Sequence, residues 1–250
     1  MASYSIAIPA RLASTRLPGK MLALLGGKPV VQWVIERALK VRNCQAVYVL
    51  TDSESVVQLA QSLGATGVMT DPNCRCGTER IASALDRIKG DWVINVQGDE
   101  PFADTQFLEQ MIDHISSIDA DLLTPVYRLS ALDDVQNPNI VKVVCDAKQC
   151  ALYFSRSPIP YVRDADPSQW LTRSTFWGHC GIYAYRRDVL QAYTHLAPHP
   201  LEQAESLEQL RFIANGYRIA TLETKGRSIA IDTAADLALA ERWIQTHPMV

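Results

Sequence analysis

The chain has 250 residues, with 24 Lys and Arg against 27 Asp and Glu, a net charge of −3 and a sequence pI of about 6.0. That balance excludes a general nucleic-acid binder, which needs a basic surplus over a whole face, and confines any cationic site to a local patch. A chain of this length buries roughly 70–75% of its unfolded surface, so it needs no disulfide or metal staple.

Tyr4–Pro9 is a short apolar run and predicts a buried strand. The loop after it, Ala10-Arg-Leu-Ala-Ser-Thr-Arg-Leu-Pro-Gly-Lys20, sets Arg11, Arg16 and Lys20 among Ser14, Thr15 and Gly19. Backbone N–H groups and small hydroxyls approach phosphate oxygens closely while the cations offset their charge. The loop therefore reads as a polyphosphate site in preference to a solvated basic turn.

Val30, Val31, Val34, Ile35, Ala38 and Leu39 recur at three- and four-residue steps and predict a helix over 29–41, with Pro29 in its first turn. Strands follow at 46–51, 68–70 and 92–96, and helices at 53–63, closed by Gly64, at 78–88 and at 104–118, capped by Asp104. This alternation implies an α/β protein with a largely parallel sheet covered on both faces. Ligands of such sheets sit beyond the carboxyl ends of the strands, where the 10–20 and 97–101 loops emerge.

The second half is more mixed. Strands are expected at 122–126, 141–145, 181–185 and 218–222, and helices at 202–214 and 234–245. Residues 157–174 are rich in Pro, Arg, Asp and aromatics without periodicity, which suggests an exposed arm or an oligomer contact. One domain over 1–250, with an inserted arm at about 155–178, is the economical description.

Asn95-Val-Gln-Gly-Asp-Glu-Pro101 puts two acids directly after a strand, with Gly98 freeing the backbone to turn. A carboxylate there is well placed for Mg²⁺, which takes one or two carboxylates plus substrate phosphates, although a plain turn fits as well. Asp232 is read most simply as the cap of the last helix. Spacing alone does not pair these acids. Thr78 of Gly77-Thr-Glu-Arg80 is a candidate helix cap, His179 a structural histidine, and Arg156 a surface cation. The 179–183 and 208–211 blocks gather polar groups able to bind hydroxyls and a carboxylate, while the ordinary reading of Glu208 and Arg211 is an i,i+3 surface pair of about 0.2–0.5 kcal/mol. Neither a dinucleotide-binding nor a P-loop glycine motif occurs, and no Ser-His-Asp or Cys-His set stands at familiar spacing.

The six cysteines include no C-x-x-C pair and point to a reduced, cytoplasmic chain, with Cys74-Arg-Cys76 as a metal clip only a minority reading. The first apolar run is too short for a signal peptide, and nothing approaches the ~20 apolar residues of a membrane span. A soluble protein without a membrane partner is expected.

Taken together, the motifs resemble the 3-deoxy-D-manno-octulosonate (Kdo) cytidylyltransferase, or CMP-Kdo synthetase, family. The blocks are the 10–20 loop, Gly77-Thr-Glu-Arg80, 95–101, Asn137-Pro-Asn-Ile-Val-Lys-Val-Val144 and Ala151-Leu-Tyr-Phe-Ser-Arg156. Further on come His179-Cys-Gly-Ile-Tyr183, Pro200-Leu-Glu202, Leu207-Glu-Gln-Leu-Arg211 and Asp232-Thr233, so the set spans nearly the whole chain. The resemblance implies a Rossmann-like α/β fold of the nucleotide-diphospho-sugar transferase kind with a dimerisation arm. It implies a homodimer making CMP-Kdo and pyrophosphate from CTP and Kdo, for lipopolysaccharide biosynthesis.

It also assigns roles. Phosphate and cytidine contacts fall on Arg11, Ser14, Arg16, Lys20, Thr78, Arg80 and Gln97. Magnesium ligands fall on Asp99 and Asp232, with Lys20 and Arg16 catalytic beside them. Sugar-acid contacts fall on Arg156, His179, Tyr183, Glu208 and Gln209. The chain departs from the family where Cys74-Arg75 replaces a usual His-Gln, where Cys76 replaces a usual Ser, and where 225–230 replaces a Pro/Gly-rich loop. An 8-amino-Kdo or another sugar acid, such as a sialic acid, is the alternative substrate.

Overall fold

Strand β1 (Tyr4–Pro9) is buried along its whole length, as a strand covered on both faces must be. The computed structural model describes residues 2–14, 16–226 and 229–247; Thr15 of the cationic loop, and Arg227 and Ser228 ahead of Asp232, lie outside them. A small hairpin of β2 (Leu24–Leu25) and β3 (Lys28–Pro29) leads into α1 (Val30–Ala38), which buries Val30, Val31, Val34, Ile35 and Ala38. The alternation continues through β4 (Cys44–Thr51), α2 (Glu54–Ser62), β5 (Thr66–Met69), α3 (Gly77–Ser83), β6 (Trp92–Asn95) and α4 (Thr105–Ile115). Strand β1 pairs in parallel with β4 and with β6, and β4 with β5.

Local chemistry sets the helix ends. Asp104 caps α4 by accepting the N–H groups of Gln106 at 2.9 Å and Phe107 at 3.4 Å. Gly64, at φ 92°, takes the left-handed conformation just past α2. The helix expected over 78–88 is shorter, because α3 stops at Ser83 and residues 85–87 form a 3-10 turn that buries Leu85.

The second half adds β7 (Leu122–Arg128), α5 (Leu132–Gln136), β8 (Lys142–Cys145), β9 (Ala151–Ser155), α6 (Trp170–Arg173) and β10 (Trp177–His179). Then come β11 (Tyr183–Arg186), α7 (Arg187–Tyr193), α8 (Pro200–Glu205), α9 (Gln209–Ala214), β12 (Ile219–Glu223) and α10 (Ala234–Thr246). By contact density the chain forms two units. The first is Met1–Ser116 with Ala184–Thr194 and Ser228–Val250, and the second is Ser117–Tyr183 with His195–Arg227.

The described strand pairs of the first unit's core are parallel, as expected. In the second unit β7 pairs in parallel with β12, but β7–β10, β10–β8 and β8–β9 are antiparallel. Strands β9 and β10 were not expected from the sequence.

The single helix expected over 202–214 is two helices. Ser206 breaks them at φ 52°, and the bend lets Glu202 meet Arg211, which a continuous helix would hold about 13.5 Å away along its axis. Within 157–174, Val162, Trp170 and Leu171 pack on a cluster of Tyr127, Leu129, Val135, Ile140, Phe176 and Cys180, while Tyr161 is 80% exposed. Among the described residues, no helix is long and apolar enough to cross a membrane.

Candidate active site

Lys20 gathers two carboxylates that the sequence leaves far apart. Its Nζ donates to Asp99 Oδ2 and, at 2.9 Å, to Asp232 Oδ1. Burial alone lowers the pKa of Lys20, but the charges and hydrogen bonds of Asp99 and Asp232 outweigh it and hold the ammonium above the ordinary lysine value. Backbone bonds explain the convergence. Ile231 N–H donates to the Asp99 carbonyl at 2.8 Å, and Gly98 N–H donates to the Pro9 carbonyl at 3.3 Å. A Cβ on Gly98 would stand 3.0 Å from that Pro9 oxygen, so a side chain here would push the 97–101 loop away from β1.

Asp232 is not a helix cap. Thr233 caps α10 by accepting the Asp236 N–H at 3.2 Å, and the Asp236 carboxylate accepts the Thr233 backbone N–H at 2.8 Å. The Asp232 carboxylate is thereby left to face Lys20 and, at 3.0 Å, Arg16. Beside the pair lies Glu100, the other acid of the 95–101 loop, to which the family resemblance assigns no role. Burial, reinforced by the charges of Asp99 and Asp232, pushes its pKa up to about 8.

Among the described residues, no group of three or more His, Cys, Asp or Glu side chains is placed to hold a metal ion. Asp99 and Asp232 are two hard oxygen donors sharing one cation. Such a pair suits Mg²⁺, which fills its remaining positions with water and substrate phosphate, and does not suit a closed zinc site.

Arg11 and Arg16 are exposed, and Ser14 Oγ accepts the Leu17 N–H at 3.4 Å. Asp52, just after β4, anchors the loop by accepting the Leu12 N–H at 2.8 Å; nothing in its local sequence announced that role. Cys76, not Thr78, caps α3: the Glu79 N–H donates to its Sγ at 3.4 Å. Thr78 is instead buried, its hydroxyl 3.2 Å from that of Tyr185. Arg80 is 2% exposed, its Nη1 donates to Thr70 Oγ1, and its Nη2 has no partner. Gln97 Nε2 donates to Asn95 Oδ1 at 3.2 Å. A buried guanidinium with an unspent donor is costly unless a ligand acceptor meets it.

In the second unit Arg156 is not a free surface cation. Its Nε donates to the Glu205 carbonyl at 2.7 Å and its Nη1 to the Pro138 carbonyl at 2.9 Å. The Glu205 carboxylate accepts the Arg156 N–H, and the fully buried Lys142 donates to the carbonyls of Asn137, Ile140 and Arg156. Arg211 does not pair with Glu208 on the surface; it is buried against Glu202. Glu208 stands at the start of α9, and the buried Gln209 next to it has an Nε2 without a partner. His179 Nε2 lies 2.9 Å from Thr124 Oγ1, and its ring sits against Phe154 and Tyr183.

A family profile described as cytidylyltransferase matches residues 6–219. The 3-deoxy-manno-octulosonate cytidylyltransferase of Geobacter metallireducens is 44% identical over 237 residues, covering 92% of this chain and 93% of its own length. The chain belongs to the 3-deoxy-manno-octulosonate cytidylyltransferase family. The relative with that name from Chloroherpeton thalassium is 45% identical over 238 residues, 93% of this chain and 94% of its own. A solved structure of CMP:2-keto-3-deoxy-manno-octonic acid synthetase complexed with CTP superposes with a TM-score of 0.91 at 39% identity, covering 98% of this chain and 99% of that one. Membership makes the chain a CTP-dependent nucleotidyltransferase with the mixed, largely parallel sheet of that group.

His179 of the second unit carries a pH prediction. Burial lowers the pKa of His179 from 6.5 to about 3, so the folded protein keeps the ring neutral where the unfolded chain protonates it. Its contribution is complete above about pH 6.5 and is lost as pH falls, at up to about 1.4 kcal/mol per pH unit. Urea melts at about pH 7.5 and about pH 5 are expected to show a smaller loss for His179→Gln than for the wild type. Equal losses would mean that His179 carries none of the acid sensitivity.

Proposed function

We propose that this protein makes CMP-Kdo and pyrophosphate from CTP and 3-deoxy-D-manno-octulosonate. The observation that carries the reading is the meeting of Lys20, Asp99 and Asp232 beside the loop that bears Arg11 and Arg16. On this reading Arg11, Ser14, Arg16 and Lys20 bind the triphosphate and offset its charge. Thr78, Arg80 and Gln97 contact the base and ribose, and Arg80 Nη2 is the donor still open to an acceptor.

Asp99 and Asp232 would hold Mg²⁺. When bound, that ion supplies Lewis-acid stabilisation of charge on the phosphate oxygens and lowers the pKa of a nearby hydroxyl. Arg156, His179, Tyr183, Glu208 and Gln209 bind and orient the sugar acid. The anomeric 2-hydroxyl attacks the α-phosphorus in line. Its oxygen forms the new P–O bond as the bond to the β-phosphate breaks, and the hydroxyl proton passes to solvent. Arg11, Arg16 and Lys20 then stabilise the departing pyrophosphate, so positioning and electrostatics supply most of the acceleration.

The same reading places the enzyme in the cytoplasm, feeding lipopolysaccharide assembly, as a homodimer whose contact includes residues 155–178. The exposed Tyr161 supports that contact.

A pyrophosphate-release assay with CTP and Mg²⁺ against Kdo, 8-amino-Kdo and N-acetylneuraminate tests the proposal. Kdo is expected to give the highest kcat/KM. A lead for 8-amino-Kdo would change the sugar, and a lead for neuraminate would reject the assignment. CTP binding without pyrophosphate release for any of the three would leave only a nucleotide-binding protein.

A further inference from the structure

Thr124 lies fully buried in the middle of β7, and its hydroxyl oxygen has three polar neighbours. These are Ile182 O at 2.8 Å, Cys180 O at 3.3 Å and His179 Nε2 at 2.9 Å. A threonine hydroxyl has a single proton to give. Two oxygens 2.8 Å apart without a proton between them repel, so that proton is committed to the Ile182 carbonyl. The remaining short contact is satisfied only if the imidazole is the donor. His179 therefore carries its proton on Nε2, and Nδ1 is left as a lone-pair acceptor.

The ring cannot easily turn to escape this. Phe154 meets it edge-on at 5.1 Å between centroids, and Tyr183 lies at 5.2 Å on a tilted plane. The main chain is held as well, since the His179 N–H donates to the Val141 carbonyl at 2.9 Å and the Cys180 N–H to the Pro125 carbonyl at 3.1 Å. Flipping the imidazole would put the Cε1–H where Nε2 stands and break the Thr124 bond.

We propose that Thr124 is a positioning residue that fixes His179 in the Nε2–H tautomer, so that Nδ1 accepts a hydrogen bond from a hydroxyl of the sugar acid. Its effect on substrate rests on the reading that His179 faces the sugar; the tautomer stands on the contacts alone. An acceptor at this point selects acids that offer a donor there, and a deoxygenated analogue forfeits the bond. The loss is of the size expected for one neutral hydrogen bond, about tenfold.

The experiment is a long-range ¹H–¹⁵N correlation spectrum of the ¹⁵N-labelled full-length protein. The chain has five histidines, and His179 is assigned by the signal that His179→Gln removes. The wild type is expected to show the neutral Nε2–H pattern for His179. Thr124→Val is expected to shift that signal toward a mixture of tautomers and to raise KM for Kdo about tenfold, with KM for CTP changed less than about twofold. Thr124→Ser restores the hydroxyl and is expected to recover both the spectrum and KM, which loss of packing alone would not explain.

An Nδ1–H pattern in the wild type overturns the inference. So does a Thr124→Val protein that keeps both the tautomer and KM. If Thr124→Val does not fold, the wild-type and Thr124→Ser spectra decide the matter. If His179→Gln leaves KM for Kdo unchanged, His179 is removed from the sugar site. CMP-Kdo synthesis is judged separately by the pyrophosphate assay.

Discussion

Asp99→Asn is expected to lower kcat for pyrophosphate release by about 10³-fold or more while leaving the thermal midpoint within a few degrees of the wild type. The amide keeps the volume of the carboxylate and can still accept the Lys20 hydrogen bond, and Asp232 remains to balance that ammonium. The negative charge needed to hold a hard divalent cation is what disappears. Raising Mg²⁺ should recover only part of the rate. A variant with near-normal kcat at saturating Mg²⁺ would show that the proposed metal ligands are misassigned, whatever happened to its stability.

The largest effect on folding is expected at the opposite kind of site. Arg211 and Glu202 form an ion pair whose side chains are 6% and 12% exposed, with Arg211 Nε 2.7 Å from Glu202 Oε2. Arg211→Met would leave the carboxylate buried without its cation, at a cost of about 3–5 kcal/mol. For a chain of this size that amounts to a fall of roughly 10 °C in Tm. Adding Glu202→Leu to Arg211→Met is expected to return much of the loss, because the stranded charge goes with it. The return is incomplete, since Glu202 also accepts the His199 backbone N–H. A single Arg211→Met variant that loses less than 1 kcal/mol in urea unfolding would contradict this account.

The two halves of the chain differ in how far their sequence can be read. In residues 1–116 apolar runs alternate with amphipathic stretches, and β1, α1, β4, α2 and α4 follow that pattern to within a few residues because the helices bury one face and the strands are covered on both. Beyond residue 117 non-local pairing decides the outcome. Strand β9 has the half-exposed sequence Ala-Leu-Tyr-Phe-Ser and is fixed by its antiparallel partner β8, not by its own periodicity. The helix over 202–214 looks unbroken because its residues suit a helix locally, and the turn at Ser206 is fixed by distant partners, the Glu202–Arg211 pair and the Arg156 bond to the Glu205 carbonyl.

The candidate site divides in the same way. Arg11, Arg16, Lys20 and Asp99 stand out because unusual residues crowd short loops after strands. Asp232 is legible only through the family resemblance, since its local sequence fits a helix cap equally well and the contacts that free it come from Thr233 and Asp236. Thr124 gave no signal at all. A threonine within an apolar strand is ordinary, and its importance comes from the three groups that converge on one oxygen.

The single backbone bond from Ile231 to the Asp99 carbonyl has a temporal consequence. During synthesis Lys20 and Asp99 leave the ribosome well before Ile231 and Asp232 exist, so the carboxylate pair and its backbone tie are completed only when the last segment of the chain is made. A product truncated after β12 would have no partner for Asp99 across Lys20, and would also lack Ile231 and Ala240, which are fully buried with Leu25 and Val30. Premature termination would thus remove part of the first unit's core together with half of the carboxylate pair, so chains cut short there are expected to fail in folding as well as in turnover.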